Sequence, residues 1–526
     1  MLEDNLLIVL SLLFVTSMLA LVSERLKISY PILLVLAGLV ISFIPGVPVV
    51  EMKPDIVFVV FLPPLLYAAA WNTSWENFWR LRKPIGLLAF GLVIFTATAI
   101  AFFSHWLIPE FPLALGFLLG GIISPPDAVA ASSVFQNLRV PKSVVSILEG
   151  ESLINDASSL IVFRFALAAI FTGQFVFWDA IGSFFSVVVF GVLIGLAIAH
   201  LVYAIHRFLP TTPSIDTGLT LISPYLMYLT AEHFHYSGVL AVVSGGLFLS
   251  FRSSDLFSYN SRLQAVTVWN VLVFLLNGVV FILIGLQLPG IIKGIETYSI
   301  TDCIFFAVAV SLLTIVIRLI WVFPSAYFPL LKRKSQKHHE NLSWKSVFIV
   351  GWSGMRGVVS LASALALPLT LANGTAFPHR SLILFITFVV ILFTLILQGL
   401  SLPVFLKFIK LDVKDDDTQQ ETEIRYRLAS TVVTYLESYL QEETNDNPVV
   451  HRVKERFERM AEIAGNDMSG NNTDPAFLKN NLEVVLKTID VRRAELKQMH
   501  LKKEFADELL RAKERELDLE EASVRK

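Results

Sequence analysis

Apolar residues are grouped along the first 411 positions into thirteen candidate membrane-spanning segments, of which several are short or carry polar residues, so that twelve spans are the alternative. A transmembrane helix needs about 20 mostly apolar residues. The segments run over 5–22, 29–46, 55–71, 84–108, 112–136, 145–172, 178–207, 214–231, 236–251, 266–289, 302–330, 345–370 and 380–410. This pattern predicts an all-α membrane protein with about thirteen transmembrane helices.

The composition divides the chain into two parts near residue 411. The whole chain of 526 residues is 55% hydrophobic and 16% charged, whereas a soluble protein of this length would be roughly a quarter charged. Residues 412–526 hold 19 Lys/Arg and 26 Asp/Glu, more than half of the 86 charged residues in the chain. We therefore predict a membrane domain at 1–411 and a helical, water-exposed C-terminal tail at 412–526. Without a net basic surplus, nothing indicates nucleic-acid binding.

The distribution of Lys and Arg among the loops predicts the orientation in the membrane. One set of alternate loops carries fifteen of these residues, including Arg80, Arg139 and Lys332, and the other set carries three, Lys53, Lys293 and Arg380. The basic set is expected to be cytoplasmic. This places the N-terminus outside and the tail in the cytoplasm.

Thirteen spans can be arranged as six, one and six, which is compatible with two inverted six-helix repeats joined by a linker helix. Residues that interrupt helices lie inside the fifth span, at Gly120 to Asp127, and the twelfth, at Gly351 to Gly357. We therefore expect helices 5 and 12 to be broken and to cross at the membrane midplane. This is the plan of a secondary transporter.

Several ionisable residues lie inside the predicted spans, where each needs a partner or a water-filled cavity. They are Asp127, Glu149, Glu151, Asp156, Arg164, Arg318 and Arg356. On a helix that turns about 100° per residue, Ser152 and Asp156 share a face while Glu151 lies about 140° away. Glu151 therefore needs its own cation, and Arg356 is at about the right depth.

The oxygen atoms expected near the fifth span suit a hard cation such as Na⁺. Asp156, Asp127, Ser152 and backbone carbonyls of the broken helix would supply them transiently. A carboxylate withdrawn from water can hold a proton or a cation but not comfortably both. Competition between these two occupants, together with alternating access, is sufficient for cation/proton exchange. Asp127 also has a plainer interpretation, as a polar cap at the helix break.

Two other functions use midplane carboxylates. A cation channel would show fast flux that ignores the proton gradient, and the two matched helix breaks favour a carrier instead. An intramembrane aspartyl protease would use Asp127 and Asp156 as a dyad, but neither aspartate lies in a Gly-x-Gly-Asp motif.

Five motifs resemble those of the sodium/proton antiporter and exchanger family, in the family's order. They are Phe61 to Leu66, Ile123 to Ala130, Glu149 to Asp156, Asn277 to Leu286 and Trp352 to Leu361. The resemblance covers residues 1 to about 411 and is nearest to bacterial NhaP-like members.

This resemblance implies a secondary antiporter that exchanges Na⁺ for H⁺, with Li⁺ and K⁺ as further candidates. It implies a core domain and a dimerisation domain, a homodimer in the plasma membrane, elevator-type alternating access, contact with membrane lipids and no cofactor. Asp156 would be the essential ion- and proton-binding carboxylate, assisted by Ser152 and Asp127. Asn155 implies electroneutral exchange, and Glu151 with Arg356 resembles the family's structural ion pair.

Three positions depart from the family pattern. Pro126 replaces a threonine, Ala128 replaces a proline, and Ala68 lies where some relatives have a glutamate ligand. The tail is predicted to contain an amphipathic helix at Ile424 to Leu440, a second helix at about 448–464, the polar linker 465–475 and a long charged helix from Phe477 to about Glu521. It contains no motif for a nucleotide, a metal or calcium.

Overall fold

Helices make up almost all of the regular structure of this chain. The structure is a computed structural model that describes residues 2–26, 28–45, 57–135, 138, 140–173, 177–295, 298–331, 343–371, 374–409, 416–442, 448–468, 475–502 and 507–524. Within these ranges, the single extended pairing is an isolated bridge between Thr370 and Ala376. The predicted all-α class is therefore confirmed for the described residues.

Helices in the part up to residue 409 overlap with each of the thirteen apolar segments. Their bounds are Leu2–Leu26, Tyr30–Ser42, Leu62–Asn72, Trp75–Arg80, Arg82–Gly86, Val93–Leu107, Leu113–Ile123, Ala128–Phe135, Lys142–Thr172, Phe177–Phe208, Pro213–His233, Gly238–Phe251, Ser253–Leu256, Tyr259–Leu286, Leu288–Lys293, Ile300–Leu331, Trp344–Trp352, Val358–Leu365 and Arg380–Ile409, with π-helical turns at Val57–Phe61 and Leu87–Leu92. Eight of the described helices are long and apolar enough to cross a membrane, and three more are apolar but shorter. The number of thirteen crossings stays a prediction.

Hydroxyl side chains fix the starts of several helices. Ser237 accepts a hydrogen bond from the N–H of Leu240 at 3.2 Å, and Ser258 accepts one from the N–H of Ser261 at 3.2 Å. Such N-caps pair backbone donors that the first helical turn leaves without a partner. The turns between neighbouring helices are therefore fixed locally by the sequence.

Small residues allow the fourth and fifth spans to pack closely. A Cβ atom on Gly116 would lie 2.6 Å from the carbonyl oxygen of Ala101, and one on Gly120 would lie 2.5 Å from that of Ala97. Both pairs are spaced by four residues, so one small face lies against another, as in many membrane helix pairs. This contact holds the first half of the broken fifth span against its neighbour.

Buried side chains in the membrane part form two hydrophobic clusters. The larger includes residues from Leu115 to Phe135 and from Val347 to Leu406, and the smaller includes residues from Leu62 to Ala70 and from Met227 to Phe257. The helix Lys142–Thr172, which we call the carboxylate helix, contributes to both clusters. It therefore lies where the two packed regions meet.

The chain separates into two compact units, Met1–Val413 and Lys414–Lys526. The second contains the helices Asp416–Glu442, Pro448–Met468, Pro475–Lys502 and Asp507–Val524. Its ion pairs join successive helices: Lys454 contacts Glu437 at 3.1 Å and Arg492 contacts Glu520 at 2.7 Å. The predicted polar linker 465–475 differs in part, because the second helix of this unit continues to Met468.

Candidate functional site

Two interrupted helices contact each other at their breaks. The first broken span consists of Leu113–Ile123 and Ala128–Phe135, and the second broken span consists of Trp344–Trp352 and Val358–Leu365. The N–H of Asp127 donates to the carbonyl of Met355 at 2.7 Å, and Nε of Arg356 donates to the carbonyl of Ile123 at 2.7 Å. The sequence-predicted breaks are therefore present in the structure and joined by direct hydrogen bonds.

The sequence explains both breaks. Pro125 and Pro126 have no N–H to continue the helix of the first broken span. In the second broken span, a Cβ on Gly357 would collide with the carboxylate of Asp127, and one on Gly354 would collide with the side chain of Arg318. These two glycines are therefore required where the breaks meet charged side chains.

Asp127 caps the second halves of both broken spans. Its Oδ1 accepts a hydrogen bond from the N–H of Val129 at 2.8 Å, and the backbone N–H groups of Ala130 and Val358 also interact with the carboxylate. A negative charge at a helix N-terminus is stabilising because the N–H groups there carry a partial positive charge. Of the two interpretations of Asp127, the structure shows the polar cap directly.

Arg356 places a positive charge at the C-terminal ends of the first halves of both broken spans. Its side chain is buried, and besides the bond to Ile123 it donates from Nη1 to the carbonyl of Gly354 at 2.5 Å. Its own N–H donates to Oγ1 of Thr394 at 3.1 Å. Carbonyl groups at helix C-termini carry a partial negative charge, so a guanidinium there is favourable. The break thus has an anion at the helix N-termini and a cation at the C-termini.

Ser152 and Asn155 hold the carboxylate helix against the first broken span, and Asp156 lies next to them on the same helix. Ser152 Oγ accepts from the N–H of Ala128 at 3.3 Å, and Asn155 Nδ2 donates to the carbonyl of Pro126 at 3.0 Å. Asp156 is buried, 8% exposed, and its carboxylate has no hydrogen-bond donor among the described residues. One carboxylate at this site is therefore left free for an external partner.

A cavity of about 1340 Å³ reaches this carboxylate. Asp127, Ser152 and Asp156 line it together, as the shared helical face of Ser152 and Asp156 predicted. Glu149, on the same face, also lines the cavity. Hydrated ions can therefore approach Asp156 through a space that contains several polar side chains.

Glu151 faces away from this cavity and forms an ion pair with Arg318. The two guanidinium nitrogens of Arg318 donate to Oε1 and Oε2 of Glu151 at 2.5 and 2.8 Å, and both side chains are 1% exposed. Nη2 of Arg318 also donates to the carbonyl of Val350 at 3.1 Å. The predicted pairing of Glu151 with Arg356 is therefore wrong in this structure, because Arg356 is held by backbone carbonyls.

The three departures from the family pattern have visible consequences. Pro126 offers its carbonyl to Asn155, and Ala128 has the N–H, absent from a proline, that donates to Ser152. Ala68 lines the cavity. The pairing of Arg318 with Glu151 was not predicted from the sequence, although an arginine inside the eleventh predicted span indicates a buried charge that needs a partner.

Paired broken helices around a carboxylate-lined cavity define a membrane transporter of the broken-helix class. The family model for the transmembrane sodium/hydrogen exchanger matches residues 9–408. The chain belongs to the sodium/hydrogen exchanger family, whose members transport ions and are not enzymes.

Individual relatives agree with this assignment. The chain is 34% identical over 422 residues to the sodium, potassium, lithium and rubidium/H⁺ antiporter of Bacillus pumilus, a match that covers 78% of this chain and 62% of that protein. It is 32% identical to an uncharacterised Na⁺/H⁺ exchanger of Escherichia coli, with 90% of each chain covered. The solved sodium proton antiporter of Methanocaldococcus jannaschii has the same fold, with a TM-score of 0.60 at 20% identity over 77% of this chain and 98% of that one.

Proposed function

We propose that this protein is a secondary antiporter that exchanges Na⁺ for H⁺, with Asp156 binding the cation and the proton in turn. The observation that carries the proposal is the free carboxylate of Asp156 in the cavity beside the two breaks. A buried carboxylate without a protein partner is unfavourable as an anion unless a cation or proton accompanies it. Only one of these two can occupy it at a time, which couples their movement.

Ser152, Asn155 and Asp127 support this carboxylate in different ways. Asp127 stabilises the helix break, Asn155 fixes the carboxylate helix to Pro126, and Ser152 joins that helix to Ala128. Because Asn155 is neutral, the carboxylate helix has no second carboxylate directly beside Asp156. We infer an electroneutral exchange of one cation for one proton. The name of the Bacillus pumilus relative supports Li⁺ and K⁺ as further substrates of this chain.

The cavity supports an inward-facing state. Besides the site residues, its lining includes Glu24 and Lys407, which lie next to ends of spans that the loop charges predict to be cytoplasmic. Transport then requires a second, outward-facing state. The two hydrophobic clusters, with the carboxylate helix at their meeting point, support an elevator movement of a core domain against a dimerisation domain. Membership of the sodium/hydrogen exchanger family supports a homodimer, lipid contacts and inverted repeats. The distribution of Lys and Arg among the loops supports the plasma-membrane orientation with a cytoplasmic tail.

The test is exchange by the purified protein in proteoliposomes. An imposed pH gradient should drive uptake of Na⁺, and Li⁺ and K⁺ are offered in separate runs. Protons compete for the same carboxylate, so the apparent affinity for Na⁺ should weaken as the pH falls. Fast cation flux that ignores the pH gradient would contradict the proposal and favour a channel.

A further inference from the structure

The hydroxyl of Ser360 is buried and has no hydrogen-bond partner among the described residues. Neighbouring buried serines are satisfied within their own helices: Ser363 donates to the carbonyl of Val359 at 2.8 Å, and Ser353 donates to that of Ile349 at 2.7 Å. Buried polar groups are nearly always hydrogen-bonded, so an exception calls for a physical reason. Ser360 thus differs from serines in the same region of the fold.

Ser360 lies at the candidate site. It is the third residue of Val358–Leu365 and lines the cavity that contains Asp127 and Asp156. Two residues before it, Val358 interacts through its N–H with the Asp127 carboxylate. Val359 packs against the hydrophobic cluster to which the carboxylate helix contributes. The second broken span therefore brings this hydroxyl close to the carboxylate helix.

Most other oxygens near the breaks are already engaged. The Ser124 hydroxyl donates to the carbonyl of Gly121 at 3.1 Å, and Ser152 Oγ accepts from Ala128. Asp127 accepts from backbone N–H groups at two helix starts. Among the described residues, the amide oxygen of Asn155 and the hydroxyl of Ser360 are buried without a hydrogen-bond partner. Asp156 and Glu149 offer carboxylates to the cavity from the carboxylate helix, and Ser360 offers a hydroxyl to it from the second broken span.

We propose that Ser360 Oγ is a direct ligand of the transported cation, together with the carboxylate of Asp156. A hard monovalent cation that leaves water needs several oxygen ligands, and a neutral hydroxyl adds one without adding charge. The inference rests on the proposed function. It also means that the cation connects the second broken span with the carboxylate helix, so that both halves of the site sense whether the cation is bound.

The first test uses the variant Ser360→Ala, which removes one oxygen atom and adds nothing to the core. The wild type is measured first in proteoliposomes, at a fixed pH and without a membrane potential. Loss of one hydroxyl contact should raise the apparent KM for Na⁺ roughly three- to tenfold. The maximal rate should change by less than about twofold. Absence of exchange by the wild type would contradict the proposed function itself.

Ser363→Ala is the matched control. Ser363 is also buried on Val358–Leu365, but its hydroxyl is satisfied by Val359. We expect its KM for Na⁺ to equal that of the wild type. If the wild type exchanges Na⁺ and Ser360→Ala keeps the wild-type KM, the ligand role of Ser360 is wrong while the proposed function stands. An equal rise in KM for both variants would likewise overturn that role.

A second variant distinguishes a ligand from a packing residue. Ser360→Cys replaces a hard oxygen by a soft sulfur of similar shape, and soft ligands favour soft cations. We expect the KM for Na⁺ to rise as in Ser360→Ala, whereas the KM for Tl⁺ should stay near the wild-type value. A purely structural role predicts the same change for both cations, and that result would contradict the proposal.

Discussion

Removal of the Arg318 guanidinium should destabilise this protein strongly, because Glu151 would stay buried without its partner. Both side chains are 1% exposed and joined by two nitrogen–oxygen contacts of 2.5 and 2.8 Å. Breaking a buried ion pair from one side costs about 3–5 kcal/mol. We therefore expect Arg318→Met to lower the unfolding temperature on the order of 5 °C.

A double-mutant cycle separates the pair from its surroundings. Adding Glu151→Gln to Arg318→Met removes the uncompensated charge, so the double variant should recover part of the lost stability. The two changes should therefore be non-additive: the double variant should unfold a few degrees above the temperature expected from the sum of the single variants, since two charge-assisted hydrogen bonds are involved. The matched cycle with Arg356→Met should give a much smaller coupling, because Arg356 contacts the carbonyls of Ile123 and Gly354.

The assay is thermal unfolding of the purified variants in one detergent at one scan rate, because membrane proteins of this size unfold irreversibly. Size-exclusion chromatography should show that each variant has the same oligomeric state as the wild type. A larger coupling for Arg356 than for Arg318 would refute the assignment of the ion pair and restore the partner predicted from the sequence.

Three further predictions concern the breaks and the charge balance. In Gly357→Ala the added Cβ should collide with the Asp127 carboxylate, which should lower stability by about 1–3 kcal/mol and reduce exchange in proteoliposomes. The control Gly218→Ala has no atom near the added Cβ and should leave exchange unchanged. Equal effects of the two substitutions would contradict the close contact at Gly357. Asp127→Asn retains an oxygen that can accept from Val129 but loses the charge at the helix starts, so it should lower thermal stability and shift the KM for Na⁺ without abolishing transport. If neutral Asn155 makes exchange one for one, a valinomycin-imposed membrane potential should not drive Na⁺ uptake, and potential-driven uptake would refute electroneutrality.

The sequence was sufficient to predict the helical class and the place of the breaks, because both depend on local properties. Apolar runs of membrane length predict helices. The adjacent Pro125 and Pro126, and the closely spaced Gly351, Gly354 and Gly357, make a continuous helix unfavourable at the two breaks. The shared face of Ser152 and Asp156 also follows from helix geometry alone.

Contacts across helices could not be predicted in the same way. The helical wheel indicated correctly that Glu151 faces away from Asp156 and needs a cation, but it could not choose between two arginines on other spans. Arg356 is engaged by the carbonyls of Ile123 and Gly354, and those acceptors exist only because both helices are broken. The free hydroxyl of Ser360 is equally invisible in the sequence, since it depends on what surrounds it.

The central claim is that one carboxylate, Asp156, carries both the cation and the proton. Asp156→Asn preserves the shape of the side chain but removes its charge and its ability to release a proton. The decisive measurement is Na⁺-dependent proton flux in proteoliposomes that contain this variant, with folding verified by thermal unfolding and size-exclusion chromatography. We predict a folded protein without flux at any pH, and exchange at close to the wild-type rate would contradict the account and move the binding site to another residue.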